Sequence, residues 1–117
     1  SQLFSIISPL PYPSASASFC YAHAKVSRLF YGTDDLNWSF PVPAGSSVIE
    51  PGHTPQSDIV ISFSTWTEFA EICGQSRFWA GVHFPASIPA GQNIAGEVAD
   101  HVWAFYQSLV DGTAPAP

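Results

Sequence analysis

Positive charge is the scarcest feature of this 117-residue chain, which has three Lys and Arg residues against nine Asp and Glu residues. With a net charge of −6, the chain lacks the basic stripe that neutralises a phosphate backbone or holds an anionic membrane surface. Nucleic acid is therefore excluded as a partner. Long apolar runs are also missing, since none reaches the roughly 18 to 20 residues of a spanning helix, and no transmembrane segment is expected.

Charge of either sign is sparse, at 10% of the residues compared with the roughly 25% of an ordinary soluble domain. Proline is frequent, with 11 residues. Much of the surface must then be apolar or uncharged, which predicts burial against another polypeptide or against copies of the same chain. The apolar segment at the start of the sequence is too short for a signal peptide, and it lacks the positive charge that a signal peptide carries. We therefore expect a mature, extracellular product that has lost its leader.

Two features bear on that expected location. Cys20 and Cys73 form either one disulfide or two buried free thiols, and their spacing does not decide between them. Asn37 begins the glycosylation sequon Asn-Trp-Ser in a turn-rich region. A secreted chain would accept a glycan there, but such sequons also arise by chance, so modified and unmodified Asn37 both stay open.

The apolar periodicity predicts one mainly helical domain. Residues 1–13 contain three prolines and are expected to be extended. A first helix follows the small residues 14–18 and ends near Gly32. Residues 33–56 are rich in proline and glycine and predict a long connection with a short strand around 39–42.

Residues 58–63 fit either a strand or an extended lead into a second helix. That helix is capped by Ser64 or Thr65 together with Glu68, and is expected to end at Gly74. A third helix is predicted from about Ser87 to Leu109, with a frayed tail over 112–117. Its expected apolar stripe consists of Ile88, Gly91, Ala95, Val98, Val102, Phe105 and Leu109.

The run from Ser76 to His83 reads Ser-Arg-Phe-Trp-Ala-Gly-Val-His and is the main candidate for chemistry. The planar fork of Arg77 suits tetrahedral oxyanions, and a helix start beside it would add backbone N–H donors. A histidine six residues later could attack phosphorus or ligate a metal centre. The competing interpretation is a surface arginine followed by a histidine that is hydrogen-bonded in the core.

This run resembles the Ser-Arg-x3-Gly-x-His block of the vanadium-dependent haloperoxidases, which are related to type-2 phosphatidic acid phosphatases and bacterial acid phosphatases. Residues 13–16, Pro-Ser-Ala-Ser, fall where the family has Pro-Ser-Gly-His, and residues 44–55 resemble the connection between these two blocks. The resemblance covers nearly all of residues 1–117 but only the C-terminal half of a family domain. It implies a partial helical bundle of about three helices with long Pro/Gly-rich connections.

The resemblance also implies roles for individual residues. Arg77 and Ser14, with Ser76 and the backbone N–H of Ala15, would bind the oxygens of vanadate or phosphate. His83 would be the axial vanadium ligand, or the nucleophile in a phosphatase. Gly81 would let the backbone pass close to the site, although a packing role explains it equally well.

The chain departs from the family pattern in three places. Ala15-Ser16 replace Gly-His, so the acid-base imidazole is missing. The family's first block, Lys-x6-Arg-Pro, is absent, and Ser87 stands where an aspartate commonly orients the second histidine. Arg77 alone would leave most of the charge of a buried trianion uncompensated. The isolated chain is therefore expected to be inactive.

Two functions follow as hypotheses. In the first, the chain is a haloperoxidase-family fragment or subunit that contributes part of a vanadate or phosphate site, with peroxide-dependent halide oxidation only once a missing half completes it. In the second, it is a non-catalytic pseudoenzyme that serves structure or assembly on the same scaffold. Hydrolysis of phosphomonoesters through His83 is a third, weaker reading. The other histidines (His23, His53 and His101) and the helical tryptophans (Trp66, Trp79 and Trp103) are interpreted as structural.

Overall fold

The computed structural model describes residues 12–115, so most of the segment expected to be extended, residues 1–11, and the last two residues of the tail lie outside the described part. The elements in chain order are α1 (Ala15–Tyr31), β1 (Asp35–Val42), β2 (Ile59–Thr65), α2 (Trp66–Trp79) and α3 (Ser87–Val110). The expected class, mainly α with three helices, is confirmed. Within the described residues, none of the helices is long and apolar enough to cross a membrane.

Helix α1 ends where its sequence predicts but begins about one turn earlier, at Ala15, so residues 15–18 are helical rather than a lead into the helix. The Ser14 side chain accepts a hydrogen bond of 3.3 Å from the backbone N–H of Ala17 and so caps the first turn. Gly32 adopts a left-handed φ of 71°, and its N–H donates to the carbonyl of Arg28. A glycine in this conformation ends the helix at low steric cost.

Helix α2 begins as predicted but ends later. The Thr65 hydroxyl accepts from the N–H of Glu68 at 3.0 Å, and the Glu68 carboxylate accepts from the N–H of Ser64 at 2.7 Å. The predicted end at Gly74 is wrong, since the helix continues to Trp79. Gly74 is buried inside α2, and a Cβ on it would lie 2.9 Å from Cγ2 of Ile88. This glycine allows close packing of helices rather than a turn.

The core of the three helices consists of small residues and one large apolar residue, Ile88. Both α2 and α3 pack against α1. The buried positions are Ser14, Ala17, Ala24, Ala70, Gly74, Ser87, Ile88, Gly91, Ala95 and Ala99. Small side chains let helix axes approach closely, so the helices meet through these positions rather than through their other large apolar residues.

The predicted stripe of α3 is consequently buried only in its first half. Ile88, Gly91 and Ala95 face the core, as expected. The four large residues that follow are 50–58% exposed: Val98, Val102, Phe105 and Leu109. Helix α1 shows the same pattern, since its periodic residue Phe19 is 78% exposed while Ala17 and Ala24 are buried.

The long connection after α1 is a β-hairpin. Strand β1 pairs antiparallel with β2, from Asp35 opposite Thr65 to Val42 opposite Ile59, with an irregularity between Asp35 and Trp38. The strand expected around 39–42 is therefore longer, and the alternatives for 58–63 resolve to a strand. No residue of either strand is buried.

Candidate oxyanion site

The contacts between α1 and α2 place the start of one helix beside the end of the other. Cys20 is disulfide-bonded to Cys73 with a Cα–Cα distance of 6.3 Å, which decides between the two alternatives for these cysteines in this structure. Arg28 donates to the Thr67 hydroxyl at 3.0 Å, nearer the other end of both helices. The helices are therefore antiparallel, and this register brings the first turn of α1 to the level of the last turn of α2, which contains Arg77.

Ser14 is bound into this end of the bundle on two sides. Its N–H donates to the carbonyl of Ser87 at 2.9 Å, while its hydroxyl caps α1. The residue is 0% exposed. A hydroxyl that accepts one hydrogen bond can still donate its own proton. The neighbouring Ala15 is exposed and lies in the first turn of α1, where backbone N–H groups have no partner within the helix.

Ser76 and Arg77 do not lie at a helix start, which corrects the premise from the sequence. Both are in the last turn of α2, where the helix dipole is negative and a basic side chain is favourable. The Ser76 hydroxyl donates to the carbonyl of Cys73 at 2.7 Å and is thereby used within its own helix. The positive potential expected beside the Ser-Arg pair must instead come from the first turn of α1.

The Nε of Arg77 is a buried hydrogen-bond donor without an acceptor among residues 12–115. A buried donor without a partner costs about 1–3 kcal/mol, more for a charged group. An oxyanion, or an acceptor from a polypeptide packed at this end, would remove that cost.

The connection between α2 and α3 carries His83, which is half-buried. Gly81 has a φ of +70°, and a Cβ on it would have no heavy atom of the described structure within 4 Å. Close packing against the described residues is therefore not observed at this glycine, and its expected approach to an anion stays a prediction; its positive φ lets the chain turn after α2. Ser87 is fully buried, and its hydroxyl donates to the carbonyl of Phe84 at 2.6 Å. That serine stabilises the start of α3.

The other two basic residues of the chain are paired away from this end. Lys25 lies 2.7 Å from the carboxylate of Asp100, and the Nε of Arg28 lies 3.9 Å from that of Asp34. At roughly 1.5 Å per residue, Lys25 is about 16 Å along α1 from Ser14. Arg77 is thus the cation available to an anion at this end.

The donors at this end of the bundle are of the kinds that bind an oxyanion, but they include a single guanidinium. Arg77 and the backbone N–H groups of the first turn of α1 would hold oxygens of such an anion, and His83 would supply an imidazole as a ligand. One guanidinium does not balance a buried trianion. Over residues 12–115, no group of three or more His, Cys, Asp and Glu side chains could hold a metal ion.

The sequence reading missed an aromatic cluster where α1, β1 and α2 meet. The ring of His23, interpreted as structural, lies 5.5 Å from that of Trp66 and 6.1 Å from that of Phe69. No helical spacing signals this cluster, because its members come from three separate elements. Asn37, the sequon residue, is exposed in β1 with a φ of 48°.

The helical fold and the Ser76–His83 motif are those of a haloperoxidase-type helical domain. The family described as "VCPO second helical-bundle domain" matches residues 5–112, and the chain belongs to that family. Two solved structures are similar to it over most of its length. One is the holo form of a bacterial vanadium-dependent chloroperoxidase, at 40% identity and a TM-score of 0.79 over 82% of this chain.

The other is the apo form of a bacterial vanadium-dependent chloroperoxidase, also at 40% identity, with a TM-score of 0.82 over 86% of this chain. The matches cover only 20% and 22% of those two chains. This chain therefore spans about a fifth of the length of the chloroperoxidases it resembles. Among curated protein sequences, none matches it significantly.

Proposed function

We propose that this chain supplies part of an oxyanion pocket of haloperoxidase type, with Arg77 as its charged donor. The observation that carries the proposal is the buried Nε of Arg77, which lacks an acceptor at the end of the bundle where α1 begins. The N–H of Ala15 and the hydroxyl of Ser14 would bind further oxygens, and His83 would ligate vanadate. The remaining cationic donors would come from polypeptide that corresponds to the rest of the longer relatives.

Bound vanadate would supply a Lewis acid for the oxidation of halide by peroxide. This chain alone offers one guanidinium for the anion's charge. We therefore expect the isolated chain to bind phosphate or vanadate weakly and to have no halide-oxidising activity. Activity would require the completing polypeptide, either on the same chain or as a separate subunit.

The test is anion binding by Arg77→Ala compared with Lys25→Ala. Both variants lose one positive charge, but Lys25 lies at a distance from the proposed pocket. Equilibrium dialysis against phosphate and vanadium NMR with vanadate should show binding that Lys25→Ala keeps and Arg77→Ala loses. Circular dichroism checks that each variant folds. Equal binding by the two variants would contradict the proposal.

A second candidate function is assembly without catalysis. It is favoured by the apolar outer face of α3, where four large residues are about half exposed in the free chain: Val98, Val102, Phe105 and Leu109. Contiguous apolar surface of this kind is typical of protein interfaces. Light scattering and the vanadate assay on one sample separate the candidates, since an oligomer that binds no anion supports assembly alone.

We also propose an extracellular location. The disulfide between Cys20 and Cys73 supports it, because disulfides persist mainly in oxidising compartments. Asn37 is exposed and thus accessible to glycosylation. Mass spectrometry of the protein from its natural source should find the disulfide and, if the host glycosylates this sequon, a glycan on Asn37. Two free thiols in that material would contradict the proposed location.

A further inference from the structure

A small cavity lies among α1, β1 and α2, apart from the oxyanion site. Its volume is about 220 Å³, and it is lined by His23, Leu36, Trp38, Trp66 and Phe69. His23 is nine residues along α1 from Ser14, which corresponds to roughly 13 Å. Four of the five lining side chains are aromatic rings, so the walls consist largely of π-faces and ring edges. We call this group the aromatic cage.

Three of the four rings of the aromatic cage, those of His23, Trp66 and Phe69, are inclined to one another. Trp66 and Phe69 have centroids 6.3 Å apart and planes at 90°. His23 is tilted by 45° against Trp66 and by 60° against Phe69. Two parallel rings would form a slot for a planar ligand. Inclined rings instead present faces and edges in different directions, and because His23 and Trp38 are exposed they line an open surface pocket that suits a compact group such as a trimethylammonium head.

Within the described residues, no lysine or arginine side chain lines the aromatic cage to oppose the entry of a cation, and Arg28 of α1 is paired with Asp34. The chain as a whole carries a net charge of −6, which attracts cations. Aromatic rings attract cations through their quadrupole, and rings arranged around a site recognise quaternary ammonium groups. A quaternary ammonium has no N–H donor and therefore loses little hydration when it enters such a cavity.

We propose that the aromatic cage is a binding site for a quaternary ammonium group of the choline type. This site is independent of the proposed oxyanion pocket. It uses neither Arg77 nor His83, so failure of one proposal leaves the other intact.

The first experiment compares choline with its neutral carbon isostere, 3,3-dimethylbutan-1-ol, on the whole chain. Ring currents in the cage should shift the methyl proton signals of bound choline upfield, and the tryptophan fluorescence should change with the same saturation. We expect choline to bind at least about tenfold more tightly than the isostere, as for a cation held by several rings. Equal affinities would overturn the proposal, because the cavity would then be only an apolar pocket. The absence of any saturable shift would also overturn it.

The second experiment removes one ring from the cage. Trp38→Ala should weaken choline binding by about fivefold or more, which corresponds to the loss of a single cation–π contact. Trp38 is 48% exposed, so this change should leave the fold intact. Trp38→Phe should restore most of the affinity. Trp79→Ala is the matched control, since Trp79 is 67% exposed and lies outside the cage.

The third experiment places a positive charge at the cage. His23→Lys should abolish choline binding through repulsion, whereas the same substitution at His101 should not. His101 is exposed on α3 and outside the cage, so both variants gain a lysine on a helix surface. Circular dichroism checks the fold of each variant. Retained binding in folded His23→Lys would overturn the assignment of the site.

A last experiment identifies whether the quaternary ammonium group belongs to a lipid headgroup or to a free small cation. Co-sedimentation with phosphatidylcholine vesicles that is lost in Trp38→Ala would assign the cage to a lipid headgroup. Choline binding without vesicle binding would assign it to a free small cation. Either result supports a quaternary ammonium site.

Discussion

Gly91 is the position where a single added methyl group should cost the most. An ideal Cβ on Gly91 would lie 2.5 Å from the carbonyl oxygen of Ser14 and 2.8 Å from the Oγ of Ser18. The first of these atoms belongs to the backbone that starts α1, and it accepts from both the N–H and the hydroxyl of Ser18. Gly91→Ala therefore has to push α1 and α3 apart.

The expected change in the free energy of unfolding combines one favourable contribution with two unfavourable ones. Alanine in a helix interior gains about 1 kcal/mol over glycine. Overpacking of a tight helix contact costs about 1–3 kcal/mol, occasionally more, and a separation of the helices also weakens the 3.0 Å hydrogen bond from Ser18 to the Gly91 carbonyl. We therefore expect Gly91→Ala to lower the free energy of unfolding by about 2 kcal/mol.

Gly96 of the same helix provides the matched control. A Cβ on Gly96 would meet only side-chain atoms of Tyr21 and Lys25, at 3.7 and 3.8 Å, which are ordinary van der Waals distances. Gly96→Ala should thus gain stability, up to about 1 kcal/mol. In urea unfolding followed by circular dichroism, the two variants should shift in opposite directions. A Gly91→Ala variant as stable as the unmodified chain would refute the close helix contact.

Three further predictions concern the connections between elements. Thr65→Ala should cost about 1 kcal/mol of unfolding free energy, because α2 loses its N-cap hydrogen bond. Reduction of the bond between Cys20 and Cys73, 53 residues apart, should cost about 4 kcal/mol by the loop-entropy estimate, measured as the difference between oxidised and reduced protein in denaturant. Asp34→Ala should cost about 1–3 kcal/mol, since its carboxylate accepts from both the N–H and the hydroxyl of Thr67; thermal unfolding of Asp34→Ala that matches the unmodified chain would contradict this.

The helix ends were predictable where the signal is local. Gly32 ends α1 and Thr65 begins α2 as predicted, because capping depends on residues within one turn. The start of α1 was placed about one turn too late, because the three serines among residues 14–18 all offer a capping side chain. Gly74 misled the prediction because its signal is also local. A glycine that ends a helix and one that admits a neighbouring helix have the same local sequence, and only the position of Ile88 distinguishes them.

The candidate site was likewise predictable from sequence only in part. The motif from Ser76 to His83 identifies the family from sequence, and the family match confirms it. The motif does not show that Arg77 lies at the C-terminal end of a helix, nor that Ser76 is bonded within that helix. The aromatic cage left no sequence signal at all, since its rings come from three elements.

The sequence by itself determined the helical class, the C-terminal end of α1, the start of α2 and the family of this chain. Each depends on short-range patterns of small, apolar and capping residues. Only the tertiary structure decided which helix faces are buried. The helices meet through alanine, glycine and serine, and larger residues such as Phe19 and Phe105 remain exposed. Periodicity finds an apolar stripe, but close contact between helix axes selects the smallest side chains, and that choice depends on the partner helix.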